Sequence, residues 1–287
     1  MRYLVGYRPD ERGAEALALG IAGARTLQTE LDVVYVVPED TPYVATHPQG
    51  SRVSVEEQRL LTAKREVLSR VPDDVPVRFH LRRNNSTAQG LIDAAHELGA
   101  VRIVVGAARS GVLGRYTIGS VANALLHSSP VPVMLAPRGY RNTVAFSRLT
   151  AGVGEREGWQ SVLTTALVST RRHHRPLRLM SLVALDAATA RYGEDVNEAL
   201  KHANTVLMEA ARSLPSGVDY EVTVAQGRND EEAISKLDWE DTDLLVIGSS
   251  RLAQKRRIFL GTTANRMLRA LPVPMLVVPR DHEPPAE

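Results

Sequence analysis

The chain repeats itself, and the repeat limits what it can fold into. Residues 104–138 align without a gap on residues 246–280, at a constant offset of 142, with 13 identities in 35 positions. A period of this length indicates a duplicated domain, because solenoid repeats are only ~20–50 residues long. We predict two domains, residues 1–139 and 143–281, joined near Arg138–Thr143. Residues 282–287, which contain Pro284-Pro285, are predicted to form a disordered tail.

Each half alternates apolar segments of strand length with segments of helical periodicity. Runs such as Val33–Val37 are apolar throughout, which is typical of strands covered on both faces. Ala14, Leu17, Ile21 and Ala24 recur at helical spacing in the first half, as do Val196, Leu200, Ala203, Leu207, Ala210 and Leu214 in the second. Asn85-Ser86 offers an N-cap for a helix that runs to about Leu98. The predicted strands are 3–7, 31–37, 76–81, 102–106 and 131–136, then 148–153, 177–183, 219–225, 243–248 and 273–278. This order predicts an α/β fold with a doubly wound, five-stranded parallel sheet in each half.

Composition excludes several classes of function. The chain carries 35 basic and 33 acidic residues, a balance that argues against a dedicated nucleic-acid or membrane-surface binder. The absence of cysteine excludes disulfides, thiolate metal sites and cysteine nucleophiles. No apolar run approaches the ~18 residues that a membrane span needs, and the N-terminus lacks a signal-peptide pattern. We therefore expect a cytoplasmic protein.

One loop in each half has the composition of an anion site. The fourth predicted strand ends at a glycine, Gly106 or Gly248, and the loop after it leads to Gly119-Ser120 or Gly261-Thr262. A helix that begins there presents free N–H groups and its positive dipole end, and glycines let a phosphate approach the backbone. The loop also lies at the carboxyl ends of strands, where doubly wound sheets bind ligands.

On these residues the chain resembles the universal stress protein family, once in each half. The family's nucleotide-binding members have Gly, two residues, Gly, nine residues and Gly-Ser or Gly-Thr, followed by a helix and a Pro-x-Pro-type last strand. Here the last strand begins Pro130-Val131-Pro132. The resemblance implies Rossmann-like sheets of strand order 3-2-1-4-5 and a stress-response role. It also implies binding of ATP, AMP or ADP, with Mg²⁺ as a companion ion. Pairing of strand 131–136 with strand 273–278 would give an internal pseudo-dimer, and a homodimer or other protein partners remain open.

Two departures from the family pattern leave the nucleotide site open. Arginine replaces the second glycine in both halves, at Arg109 and Arg251, where it either pairs with a phosphate or fills the phosphate's space. Arg8 stands where the family has an aspartate at the end of the first strand. Because only the first half keeps extra glycines in its loop, we favour the first half as the site. The predicted nucleotide contacts there are Gly6, Tyr7, Arg8, Val36, Val37, Gly106, Arg109, Gly111, Gly114, Gly119, Ser120 and Val121; their counterparts are Gly248, Arg251, Gly261 and Thr262.

Enzyme signatures are missing from the sequence. There is no Gly-x4-Gly-Lys-[Ser/Thr] loop, no Gly-x-Ser-x-Gly elbow and no paired-histidine zinc motif. We therefore predict a binding protein without an evident catalytic centre, slow ATP hydrolysis being left open. The alternative is a nucleotide-independent protein-interaction module whose two binding loops have degenerated, and the arginines at 8 and 109 favour it.

Overall fold

Strands and helices alternate along both halves of the chain. The computed structural model describes residues 1–39, 55–110, 116–154, 158–171, 175–186, 196–250 and 258–283. The first half contains β1 (Arg2–Gly6), α1 (Glu11–Leu27), β2 (Glu30–Val37), α2 (Val55–Arg70), β3 (Val77–Arg83), α3 (Thr87–Leu98), β4 (Arg102–Gly106), β5 (Ala108–Ser110), β6 (Tyr116–Ile118), α4 (Ser120–Ser128) and β7 (Val133–Ala136). The second half contains β8 (Arg148–Gly152), α5 (Trp159–Arg171), β9 (Leu177–Ala184), α6 (Val196–Arg212), β10 (Tyr220–Gly227), α7 (Asp230–Ser235), β11 (Asp243–Gly248), α8 (Thr262–Ala270) and β12 (Met275–Val278).

The two predicted sheets form one continuous ten-stranded sheet of order β10-β9-β8-β11-β12-β7-β4-β1-β2-β3. Within each half the strands are parallel and follow the order 3-2-1-4-5, which confirms the predicted fold class. The halves meet where β12 pairs antiparallel with β7, Met275 opposite Leu135 and Val277 opposite Val133. This pairing of the last strands was expected, and it covers an edge that each sheet would otherwise expose.

Both last strands begin two residues later than predicted, and proline explains the shift. β7 begins at Val133 and β12 at Met275, each directly after a proline. Proline has no backbone N–H to donate to a ladder. The carbonyls of Pro132 and Pro274 still accept hydrogen bonds, from the amides of Ile103 at 3.0 Å and Leu245 at 3.0 Å.

Polar side chains cap the helices where the sequence indicated. Ser86 is the N-cap of α3 and accepts a hydrogen bond from the amide of Gln89, as predicted. Asp10 caps α1 in the same way, accepting from the amide of Gly13 at 2.9 Å. The long helix α6 ends at Arg212, so Leu214 lies beyond it although it fits the helical period.

The segment between Gly106 and Gly119 is more regular than the predicted loop. Ala108–Ser110 and Tyr116–Ile118 pair antiparallel as a short hairpin, and the amide of Gly119 donates to the carbonyl of Ala107 at 3.0 Å. The predicted connection therefore contains a short hairpin, which the glycine spacing did not indicate. Residues 111–115, which include Gly111 and Gly114, lie outside the described residues.

Apolar side chains on both faces of the sheet hold the halves together. Met134 and Leu276 belong to the buried cluster on one face, and Leu135 and Met275 to the cluster on the other. Each cluster contains residues of both halves. Within the described part of the chain, no helix is both long enough and apolar enough to cross a bilayer.

The predicted linker is held against helix α1. The buried carboxylate of Glu15 accepts a hydrogen bond from the amide of Gly139 at 2.7 Å, and Arg25 donates to the carbonyl of Thr143 at 2.8 Å. Phe146, just after the linker, donates its amide to the hydroxyl of Thr26 at 2.9 Å. Of the predicted tail, His282 is partly buried and its amide donates to the carbonyl of Pro279 at 3.1 Å.

Glu15 makes stability depend on pH in a direction that can be tested. Burial raises the pKa of its carboxyl above 4.5, against the opposing hydrogen bond from Gly139. A carboxyl with a raised pKa in the folded state contributes stability below its unfolded pKa and loses it as pH rises through the folded value. The Glu15→Gln variant keeps an acceptor without this titration. Its free energy of urea unfolding, minus that of the wild type, is expected to increase from pH 4 to pH 7. A difference that stays flat or decreases over this range would contradict the assignment.

Candidate functional site

The predicted contacts at the end of β1 in the first half are divided between core and surface. Gly6 packs closely, since a Cβ added there would lie 2.7 Å from Cδ1 of Leu91. Tyr7 is buried in the core, and its burial raises the pKa of the phenol. Arg8 is exposed, with its Nε 3.8 Å from Oδ2 of Asp10. Of these three predicted contacts, only Arg8 therefore has a polar side chain that is exposed to solvent.

On β2 the two predicted contact residues serve mainly in packing. Val36 lies against Gly90 of α3, because a Cβ on that glycine would stand 2.9 Å from Cγ1 of the valine. Val37 is buried. Val36 is half-buried, so the end of β2 is partly exposed beside α3.

Arg12 occupies the space in front of α4, where the phosphates were predicted to lie. A Cβ added to Gly119 would be 3.2 Å from Nη1 of Arg12, and one added to Gly106 would be 2.6 Å from the carbonyl oxygen of Arg12. Gly119 is the N-cap of α4 and offers no side-chain hydrogen bond to the helix, while Ser120 and Val121 follow in its first turn. The backbone of Arg109 lies in β5. The first half thus places its own guanidinium beside the predicted anion site.

The second half has the same backbone arrangement without that arginine. Gly248 ends β11, and a Cβ added to it would lie 3.7 Å from the carbonyl oxygen of Gly158. The Gly158 carbonyl therefore faces Gly248 as the Arg12 carbonyl faces Gly106. Gly158 has no side chain, and its φ of +101° is one that glycine adopts readily. A glycine in place of an arginine puts no side chain at this position, and the atom nearest to a Cβ on Gly248 is Cγ2 of Val162 at 3.2 Å.

A cavity of about 430 Å³ occupies this space in the second half. Its walls come from the carboxyl ends of β8, β9 and β11 and from α5, α6, α7 and α8. Val162, Met180, Val183, Val206 and Met267 form apolar parts of the wall, and Trp159 stands at the start of α5. Its polar lining includes Ser181, His202, Asp230, Ser249, Ser250 and Thr263. The cavity lies between the first and fourth strands of its sheet, which is the switch point of the doubly wound topology.

Serine side chains and the start of α8 shape one end of the cavity. The hydroxyl of Ser249 accepts from the amide of Phe259 at 2.7 Å, and the amide of Ser250 donates to the Phe259 carbonyl at 2.8 Å. Gly261 is the N-cap of α8, without a side-chain hydrogen bond to the helix, and Thr262 is its first residue. The helix therefore presents N–H groups with no side-chain cap toward the cavity. Arg251 lies outside the described residues.

Asp230 brings a carboxylate into the cavity wall. It is the first residue of α7 and only 5% exposed. Its Oδ2 lies 3.4 Å from Nη1 of Arg266, whose side chain is about half exposed. Burial raises the pKa of Asp230 above its usual value, with Arg266 acting in the opposite direction. No group of three His, Asp or Glu side chains able to hold a metal ion occurs in the described ranges.

Sequence reasoning missed Arg12, Gly158 and Asp230. The residues between β1 and α1 are 7–10, whereas those between β8 and α5 are 153–158. This difference in length breaks the constant offset that aligned the later loops. Superposition of the two strand-to-helix turns is needed to see that Arg12 and Gly158 occupy equivalent positions in the two halves. Asp230 carries no motif, and only the fold brings it to the cavity.

Comparison with known proteins agrees with the duplicated fold. The model of the Universal stress protein family matches residues 1–137 and 145–279. A universal stress protein of Mycobacterium tuberculosis (strain ATCC 25618 / H37Rv) is 33% identical over 300 residues, covering 97% of this chain and 100% of its own. A crystal structure of a universal stress protein from Archaeoglobus fulgidus DSM 4304 superposes with a TM-score of 0.65 at 17% identity, covering 97% of this chain and 98% of its own. A protein of unknown function from Pseudomonas aeruginosa PAO1 superposes with a TM-score of 0.60 at 18% identity, over 97% of this chain and 92% of its own. With a family match in each half, this chain belongs to the universal stress protein family.

Proposed function

We propose that the second domain binds an adenine nucleotide, ATP or AMP, and that the chain is a nucleotide-responsive regulatory protein. The observation that carries this proposal is the cavity of about 430 Å³ at the carboxyl ends of β8 and β11. Its volume falls within the ~300–1,000 Å³ typical of small-molecule sites. An apolar wall combined with an uncapped helix end suits a ligand that has a flat base and an anionic tail.

The phosphates would lie at the end of the cavity formed by Gly248 and Gly261. Neither glycine has a side chain of its own, and the nearest one to Gly261 is the small Ser250, whose Cβ would lie 3.3 Å from a Cβ on that glycine. Helix α8 begins at the next residue, Thr262. The positive end of the helix dipole and its free N–H groups favour an anion there. The apolar wall, with Val162 and Val206 from two helices, would hold the base.

This proposal places the favoured site in the second half, whereas the glycine content of the loops favoured the first. In the first half, Nη1 of Arg12 lies 3.2 Å from the position of a Cβ on Gly119. That guanidinium is partly exposed, so it either pairs with a phosphate or occupies the phosphate's place. The described cavity lies in the second half, so the proposal concerns that half, and nucleotide binding by the first half stays a prediction.

Contacts between the domains suit a regulatory role. The amides of Ile258 and Leu260 donate to the carbonyls of Ser129 and Leu126, at 3.0 Å and 3.1 Å. The ring of Phe259 meets that of His127 edge to face, with centroids 4.9 Å apart. The segment that leads into the cavity's helix α8 therefore rests on α4 of the first domain. If nucleotide binding moves this segment, its contacts with α4 would transmit the movement to the first domain.

Binding without a dedicated catalytic step is part of the proposal. Among the described lining residues, Asp230 is the only carboxylate, and we assign it no catalytic step. A Mg²⁺ ion that arrives with ATP would be held mainly by the phosphates and by water. The competing hypothesis, a nucleotide-independent interaction module, is favoured by Arg12 and applies best to the first domain.

Calorimetric titration of the purified full chain with ATP and with AMP, with and without Mg²⁺, tests the proposal. Any nucleotide that copurifies is removed and identified first. We expect saturable heat with a dissociation constant below about 1 mM, equivalent to about −4.1 kcal/mol. No copurifying nucleotide and no heat at millimolar ATP would contradict nucleotide binding and favour the interaction module.

A further inference from the structure

Resting on the proposed function, we propose that Asp230 accepts hydrogen bonds from the ribose hydroxyl groups of the nucleotide. The site would then select ribonucleotides over nucleotides that lack these hydroxyls. The structural basis is the buried carboxylate of Asp230 in the cavity wall. Other residues cap α7 and link it to α8, so neither role requires this carboxylate.

Neither capping nor helix pairing accounts for the buried charge of Asp230. The cap of α7 is Asn229, whose side chain accepts from the amide of Glu232 at 2.9 Å. An exposed pair one residue further along, Glu231 with Arg269 at 3.5 Å, also links α7 to α8. A buried carboxylate is therefore unnecessary for either purpose.

The contact with Arg266 is a long hydrogen bond to one oxygen of this carboxylate. At 3.4 Å it is longer than the ~2.7–2.9 Å of a strong charge-assisted hydrogen bond, and the arginine is half exposed. Burial raises the pKa of Asp230, with Arg266 acting in the opposite direction, because a buried charge is solvated less well than one in water. Buried carboxylates need hydrogen-bond donors, and a ligand in the cavity can provide them.

Position along α8 indicates which donors these are. Asp230 pairs with Arg266, whereas the proposed phosphate end is at Gly261. These residues are five positions apart, which is nearly one and a half helical turns or ~7.5 Å along the axis. A second anion beside Asp230 would be repelled, so a neutral part of the ligand must face the carboxylate. The ribose hydroxyls follow the phosphate in the nucleotide, while the amino group of the base is farther away.

Calorimetry on the full chain with ATP, 2′,3′-dideoxy-ATP and purine riboside triphosphate tests the inference. The wild type is expected to bind ATP about tenfold or more tightly than dideoxy-ATP, as a hydrogen bond to a charged group implies. Asp230→Ala should reduce this ratio to near one, and the isosteric Asp230→Asn should reduce it in part. Glu231→Gln is the matched control and should leave the ratio unchanged.

Several results would overturn the inference. If wild type binds ATP and the ratio is the same in both Asp230 variants, the carboxylate does not contact the ribose, and nucleotide binding itself still stands. If the variants instead abolish discrimination against purine riboside triphosphate, Asp230 faces the amino group of the base. If wild type binds none of the three nucleotides, the proposed function fails together with this inference.

Discussion

An aromatic side chain placed in the cavity of the second domain is expected to abolish nucleotide binding. Ala203 is buried on α6 and lines the cavity, so Ala203→Phe directs a ring into the open volume. Loss of that volume should weaken ATP at least tenfold, or by about 1.4 kcal/mol. Stability should not fall much, because the added ring fills empty space and phenylalanine is tolerated in helices. Trp159 lines the same cavity, so the change in its fluorescence on titration with ATP measures binding.

The neighbouring residue provides a control for this substitution. Asn204 is exposed on the same helix and does not line the cavity. Asn204→Phe introduces the same ring into solvent and is expected to leave the ATP affinity unchanged. If Ala203→Phe folds with wild-type thermal stability and still binds ATP as tightly as Asn204→Phe, the cavity is not the nucleotide site.

Truncation of Phe146 is expected to cause the largest loss of stability that we predict. Its ring is 1% exposed and lies in a buried cluster that includes residues of both halves. Its amide is also held by the hydroxyl of Thr26 on α1 at 2.9 Å. Removal of a fully buried aromatic ring costs about 3–5 kcal/mol, and Phe146→Ala should reduce the free energy of urea unfolding by that amount.

Val144 is the matched control for this truncation. It lies two residues away in the linker region and is 59% exposed. Val144→Ala should change the free energy of unfolding by less than about 0.5 kcal/mol. Circular dichroism during urea titration measures both variants. A cost for Phe146→Ala no greater than that for Val144→Ala would show that the shared cluster does not hold the domains together.

The fold was predictable because its signals are local and repeated. Apolar runs such as Val33–Val37 identify buried parallel strands without knowledge of their neighbours. The duplication then requires the same topology twice, and the ten-stranded sheet follows once β7 and β12 pair. Boundaries moved only where local chemistry intervened, as at Pro132 and Pro274, whose missing N–H groups delay the last strands.

The candidate site was less predictable from the sequence because it depends on which residues occupy the space beside the glycine-containing loops. The prediction from the sequence relied on the glycines of the loops, which determine how closely a phosphate can approach the backbone. Whether the space is open depends on Arg12 in one half and Gly158 in the other, which face the loops from a different segment. Turns of different length hid this correspondence. Asp230 is likewise brought to the cavity by helix packing, which no local pattern describes.

Photoaffinity labelling tests the central claim, that the nucleotide lies in the second domain, most directly. The full chain is irradiated with 8-azido-ATP, and the labelled tryptic peptides are identified by mass spectrometry, with excess ATP as competitor. The account predicts ATP-protected label on peptides from the cavity wall, within residues 158–171, 196–212 or 258–270. ATP-protected label confined to residues 1–137 would contradict it.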